Sequence, residues 1–159
     1  SAMIFAIIIG AEIFGNFINF AGLPYALSNF VSDLGLSPWL VLLAIVLIYM
    51  VLGCVLESLS MILLTVPVFY PLVMDLDFGL AILQDPDMVL IWFAIIVVVV
   101  TEISLITPPI GMNVFVLRSV LPDVALGTIF RGVFVFWVAD IVRLAIIIGL
   151  PAISLYLVT

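Results

Sequence analysis

The segment ITPPIGMN, residues 106–113, lies within a long apolar stretch and contains two adjacent prolines. Pro108 and Pro109 have no backbone N–H, so the carbonyls of Ser104 and Leu105 lose the donors they would have in a continuous helix. Lipid cannot hydrogen-bond these carbonyls, so such a segment must be buried in protein or line a cavity at membrane depth. Broken helices of this kind form ion and substrate sites in membrane carriers. The sequence therefore predicts a binding site at this interruption.

The two sides of the interruption suit opposite charges. The C-terminal end of the first half-helix presents carbonyls and a partial negative charge, whereas the N-terminal end of the second half presents amides. Since hard cations bind several oxygens, we predict a sodium site formed by the carbonyls of Ser104, Leu105, Ile106 and Thr107, with the Thr107 hydroxyl as a further ligand. We predict that a substrate carboxylate binds Pro108, Pro109, Gly111, Met112 and Asn113, chiefly through amides and the Asn113 side chain. The alternative is a proline-kinked helix whose carbonyls are satisfied by neighbouring serine and threonine.

A second polar segment, GCVLESLS at residues 53–60, interrupts another apolar run. It offers further oxygen ligands for the cation from the hydroxyls of Ser58 and Ser60 and from the backbone near Gly53 and Glu57. Two helices joined at this segment are the natural interpretation, because residues 38–74 are too many for one membrane crossing.

Composition assigns the chain to a class of protein. It has 159 residues, of which 68% are hydrophobic and 8% charged, and its mean hydropathy is +1.61. These values are typical of an all-α integral membrane protein with about four to six spanning or re-entrant helices. A net charge of -7 gives no reason to expect nucleic acid. The chain has no histidine and a single cysteine, so neither a cysteine cluster nor histidine-based catalysis is predicted.

Apolar runs and their breakers divide the chain into six parts. We predict a transmembrane helix at residues 1–21, an interfacial segment at 24–36, a helical hairpin at 38–74, a broken transmembrane helix at 88–121, a cytoplasmic linker at 122–131 and a transmembrane helix at 133–157. Ser37-Pro38 and Asp85-Pro86 have the composition of helix starts. Whether residues 38–74 form a re-entrant hairpin or two full spans stays open at this point. The chain begins without a signal-peptide pattern, and we expect it to be a piece of a longer protein.

Charge placement predicts the orientation. Arg118 and Arg131 flank the loop at Pro122, which places this loop in the cytoplasm by the positive-inside rule. The acidic loop at residues 75–87 lies one crossing away and is expected outside. Within the spans, Glu12, Asn16 and Asn19 share one helix face, which indicates either helix packing or a substrate path.

Four further residues in or near the spans have simple interpretations. Asp140 and Arg143 are three residues apart and are expected to neutralise each other. Glu102 either tunes the cation site or makes a buried hydrogen bond, and Cys54 is expected to be a small packing residue.

The two polar motifs together carry a family resemblance. The patterns LESLSMILLTVPVFYPL, residues 56–72, and EISLITPPIGMNVFVL, residues 102–117, resemble the C-terminal part of the large membrane subunit of TRAP transporters, the tripartite ATP-independent periplasmic carriers. The resemblance implies an elevator-type secondary transporter of inverted-repeat architecture that is coupled to sodium. It also implies a small membrane subunit, a periplasmic substrate-binding protein and an N-terminal half carrying the first hairpin and first broken helix. At the hairpin tip the family commonly has Asp where this chain has Glu57.

These observations predict the C-terminal part of a sodium-coupled carrier for small organic anions in the cytoplasmic membrane of a bacterium or archaeon. No cofactor besides the coupling ion and no enzymatic activity are expected, since nothing in the spacing of the carboxylates supports catalysis. Proton coupling is the alternative mechanism, and a channel or structural membrane subunit is the alternative class.

Overall fold

The elements in the described part of the chain are helices. The computed structural model describes residues 2–107 and 112–156, and no strand occurs among them. In chain order the helices are α1 (Ala2–Phe20), α2 (Leu23–Asp33), α3 (Pro38–Gly53), α4 (Ser58–Met74), α5 (Pro86–Ser104), α6 (Met112–Val120), α7 (Leu126–Gly149) and α8 (Pro151–Leu155). A short 3-10 turn, Ala81–Leu83, lies in the connection from α4 to α5.

Two helix starts follow directly from local sequence. Pro38 occupies the first turn of α3, and the Ser37 hydroxyl accepts a hydrogen bond from the Leu40 amide at 3.4 Å. At α5 the first turn begins with Pro86, and the side chain of Asp85 caps it. Proline is tolerated at these positions because the first amides of a helix have no intrahelical acceptor. Both starts lie where the sequence predicts them.

The fifth helix, α5, is the centre of the core. Trp92, Phe93, Ile96, Val100 and Ile103 along this helix are buried. Helices α3, α4, α7 and α8 pack against it. The C-terminal end of α5, where the predicted cation site begins, is therefore held by neighbours from several parts of the sequence.

The outer helices differ from the core in exposure and length. Within the described residues, α1, α5 and α7 are long and apolar enough to cross a membrane. Most side chains of α1 and α7 face outward, and these include many large apolar ones. Helices α3 and α4 have 16 and 17 residues, which corresponds to about 24 to 26 Å of helix. That length is shorter than the roughly 30 Å of a bilayer's hydrocarbon core.

The helix bounds can be set beside three of the predicted segments. The last long helix, α7, begins at Leu126, inside the segment predicted as a linker, because no proline follows Pro122 until Pro151 ends the helix. The predicted interfacial segment 24–36 is largely the helix α2. The predicted broken helix 88–121 corresponds to α5 and α6, and residues 108–111 between them lie outside the described residues.

Candidate ion and substrate site

The carbonyls at the end of α5 acquire new donors. The Ser104 carbonyl accepts a hydrogen bond from the Thr107 amide at 3.2 Å, and the Leu105 carbonyl accepts one from the Asn113 amide at 3.2 Å. The proline pair removes the helical donors of these two carbonyls, but it does not leave the carbonyls unpaired, as the sequence suggested. Each carbonyl oxygen has two lone pairs, so one amide donor does not saturate it. The bond from Asn113 also ties the start of α6 to the end of α5.

The Thr107 hydroxyl is fixed by hydrogen bonds on both sides. It donates to the Ile103 carbonyl at 2.7 Å and accepts from the Trp137 indole N–H at 3.0 Å. These two bonds use the hydroxyl proton and one of its two lone pairs. The second lone pair stays available, and its direction is set by α5 and α7 together. Trp137 was not singled out in the sequence, because nothing local relates a tryptophan on one helix to a threonine 30 residues earlier.

The α3 end approaches α5 closely at Gly53. A Cβ atom at this glycine would collide with the Ser104 hydroxyl, and Ser104 is fully buried. The Ser104 hydroxyl donates to the Thr101 carbonyl at 2.6 Å, which holds it in place. The absence of a side chain at Gly53 therefore lets the polar segment 53–60 reach the end of α5, as the predicted site requires.

The next residue, Cys54, connects the same two segments through its thiol. Its sulfur lies 3.8 Å from the Ser104 carbonyl oxygen and 3.8 Å from the Thr107 carbonyl oxygen. A thiol is a weak donor, so these are weak hydrogen bonds. Cys54 is buried, and the sequence interpretation as a packing residue missed its position between two predicted cation ligands. Its place beside Gly53 was the available signal.

Glu57, Ser58 and Ser60 form the start of α4. The Glu57 carboxylate accepts hydrogen bonds from the Leu59 and Ser60 amides at 3.0 Å each, and from the Ser60 hydroxyl at 3.2 Å. Glu57 is thus the N-cap of α4, and Ser58 is the first residue of the helix. Capping occupies part of the oxygen capacity that the sequence assigned to a cation. Gly53 and Cys54 contact the end of α5 from the polar segment.

The predicted substrate residues lie at the start of α6. Met112 is the first residue of this helix, and Asn113 has an exposed side chain while its amide is bound to Leu105. Pro108, Pro109 and Gly111 lie outside the described residues, as does the side chain of Met112. The exposed carboxamide at a helix N-terminus, where the helix dipole favours negative charge, is suited to an anion.

A charged group joins α5 to α7 beside this site. Arg143 lies 3.2 Å from Asp140, as the spacing predicted, and 3.4 Å from Glu102. The Glu102 side chain is 62% exposed, so of its two predicted roles the buried hydrogen bond is wrong. Its charge is balanced by the Arg143 guanidinium within the same part of the fold.

Comparison with known proteins gives consistent results over almost the whole chain. Residues 1–153 match the family model described as "Tripartite ATP-independent periplasmic transporter, DctM component". The chain is 35% identical over 155 residues to the C4-dicarboxylate TRAP transporter large permease protein DctM of Pseudomonas aeruginosa, covering 98% of this chain and 34% of that protein. It is 29% identical over 157 residues to the sialic acid TRAP transporter large permease protein SiaM of Vibrio cholerae, covering 99% of this chain and 34% of that protein.

These matches cover only part of each relative. The chain spans about a third of the length of the curated relatives it matches. No solved structure matches it at a significant level. The family match nevertheless covers nearly every residue present, so the chain belongs to the family of DctM components of tripartite ATP-independent periplasmic transporters.

Proposed function

We propose that this chain is the C-terminal part of a sodium-coupled permease subunit that imports small organic anions. The observation that carries the proposal is the contact of Gly53 and Cys54 with the end of α5. The Cys54 thiol lies against the Ser104 and Thr107 carbonyls, and Gly53 lies against the Ser104 side chain. Together with family membership, this contact supports an ion site formed by the polar segment 53–60 and the end of α5, which the sequence predicts to share the cation.

Sodium is the cation that suits this group of atoms. The oxygens near this contact are backbone carbonyls and the Thr107 hydroxyl, which are neutral hard ligands. Neutral carbonyls do not titrate in the physiological range, so they favour a metal cation over a proton. The C-terminal end of the α5 dipole adds partial negative charge at the same place.

The substrate proposal rests on the start of α6 and on the relatives. The exposed Asn113 side chain and the helix N-terminus favour a carboxylate. The relatives are named for C4-dicarboxylates and for sialic acid, which are both carboxylates. We therefore infer a small carboxylate substrate, bound next to the cation so that each ligand lowers the electrostatic cost of binding the other.

The remaining architecture is proposed from helix lengths and family membership. Helices α3 and α4, about 24 to 26 Å long, form a re-entrant hairpin. Helices α5 and α6 are the two halves of a broken transmembrane helix. An inverted N-terminal half supplies a matching hairpin and broken helix, and the two halves move as an elevator. The permease works in the bacterial or archaeal cytoplasmic membrane with a small membrane subunit and a periplasmic binding protein.

Reconstitution of the complete transporter tests this function. The full-length permease carrying this segment is placed in proteoliposomes with its small subunit, and a loaded binding protein is added outside. We expect concentrative uptake driven by an inward sodium gradient and none with potassium at the same ionic strength. Uptake driven equally by a proton gradient without sodium would establish the alternative mechanism, and equilibration without accumulation would indicate a channel.

A matched pair of variants then locates the cation site. Thr107→Val removes the hydroxyl at nearly constant side-chain volume and should raise the half-saturating sodium concentration about tenfold or more. Ser119→Ala removes another helical hydroxyl, which donates to the Val116 carbonyl on the exposed side of α6, and should leave sodium dependence unchanged. Equal sodium dependence in both variants would exclude Thr107 as a ligand.

A further inference from the structure

A groove between α1 and α4 has polar residues on its α1 side although both helices are apolar. The groove is open to one side and has a volume of about 360 Å³, which is room for several water molecules. Its polar lining comes from Glu12, Asn16 and Asn19 on α1, and it is closed on the α4 side by Leu63 and Pro67. None of these residues belongs to the site at the end of α5.

The polar residues of α1 form one stripe beside the packed face of that helix. Their spacings of four and three place the carboxylate and the two carboxamides on one side. Helix α1 is a candidate membrane span, and Glu12 lies in its interior. An ionisable side chain at such a depth needs polar partners, and it indicates a functional site by default. The stripe is therefore a candidate binding site for a polar ligand.

Two carbonyls of α4 lack the amide donor that a regular helix would supply. Pro67 has no N–H, so the Leu63 carbonyl lacks its helical donor, and Pro71 removes the donor of the Pro67 carbonyl in the same way. Gly15 of α1 packs against the Pro67 ring, since a Cβ at this glycine would lie 3.8 Å from Pro67 Cγ. Both carbonyls that the prolines deprive of donors belong to residues that line the groove.

We propose that this groove binds a sodium-sized monovalent cation. The Glu12 carboxylate supplies the counter-charge, and the side-chain oxygens of Asn16 and Asn19 and the carbonyls of α4 supply neutral oxygens. The carboxylate disfavours an organic anion in the same place. A proton requires only the carboxylate, whereas two carboxamides and two carbonyls without their i+4 amide donors match the larger coordination shell of a metal cation. This site is distinct from the cation site proposed at the end of α5.

Equilibrium binding of radioactive sodium to the purified full-length permease tests the groove directly. Glu12→Gln keeps the shape of the side chain and removes its charge, and it should raise the half-saturating sodium concentration of one binding component about tenfold or more. Asn16→Ala should weaken the same component. The control is Asp33→Asn, which removes an exposed carboxylate at the end of α2, outside the groove. Sodium binding by both groove variants equal to that of the control would overturn the proposal.

A labelling experiment gives a second measurement that does not depend on transport. Ile8 lines the groove but supplies no ligand, so Ile8→Cys in a Cys54→Ser background should react with a hydrophilic thiol reagent, and sodium should slow the reaction more than potassium does. Labelling that sodium does not slow would show a groove that holds water without the ion. Sodium binding by Thr107→Val separates the two sites. Weaker sodium binding by Glu12→Gln, with normal binding by Thr107→Val, would support the groove site and reject the site at the end of α5.

Discussion

Replacement of Gly53 by alanine tests the closest approach in the candidate site. The added Cβ would overlap the hydroxyl of Ser104, a residue that is fully buried and whose hydroxyl is bound to the Thr101 carbonyl at 2.6 Å. The serine therefore has no free space into which to move. The Ser104 Cβ would also collide with the added atom, so either the end of α3 separates from α5, or the whole serine side chain shifts and its hydroxyl leaves the acceptor.

The expected loss of stability follows from these alternatives. Forcing an extra methyl group into a packed interior costs about 1 to 3 kcal/mol, and breaking a buried hydrogen bond costs a similar amount. Alanine is a better helix former than glycine by about 1 kcal/mol, which offsets part of the loss. We expect Gly53→Ala to reduce the free energy of unfolding by about 1 to 3 kcal/mol and to weaken sodium-dependent uptake.

Denaturant titration of the purified permease in mixed micelles, followed by circular dichroism, measures this change. The matched control is Gly10→Ala, because a Cβ at this glycine in α1 meets nothing within 4 Å. Combining Gly53→Ala with Ser104→Gly removes the colliding atoms, so the two changes should show a coupling energy of about 1 to 3 kcal/mol. Unfolding of Gly53→Ala at the same denaturant concentration as the Gly10→Ala control would show that Gly53 does not lie against Ser104 as described.

Three further changes have definite expected outcomes. Trp137→Phe removes the donor to the Thr107 hydroxyl, so it should lower the free energy of unfolding by about 0.5 to 1.5 kcal/mol in the same titration. It should also raise the half-saturating sodium concentration, and unchanged sodium dependence would contradict a role of Trp137 in orienting the hydroxyl. Glu57→Ala removes the cap of α4 and should cost about 0.5 to 2 kcal/mol, whereas Glu57→Asp should keep the cap and most of the stability; equal losses would argue against capping. Single cysteines in a cysteine-free background should react with an impermeant thiol reagent from the periplasm at Asp77 and not at Asp123, and reversed labelling would overturn the orientation derived from the arginines.

Sequence by itself determined the class, the family and many of the element boundaries. The low content of charged residues and the apolar runs require a helical membrane protein, because only paired backbone groups are stable in lipid. Ser37-Pro38 and Asp85-Pro86 specify helix starts through capping and the fixed φ of proline, which are properties of adjacent residues. The two motifs resembled the family that the comparisons then established.

Only the tertiary structure decided which predicted residues meet. The contacts of Cys54 with Ser104 and Thr107 join positions 50 and 53 residues apart, and the bond from Trp137 to Thr107 spans 30 residues. Propensity, capping and periodicity act over a few residues, so they do not specify how one helix lies on another. The same reason explains why Asn113 could not be predicted to donate to the Leu105 carbonyl. That bond depends on where the chain re-enters helix, which is set by the packing of α5, α6 and α7.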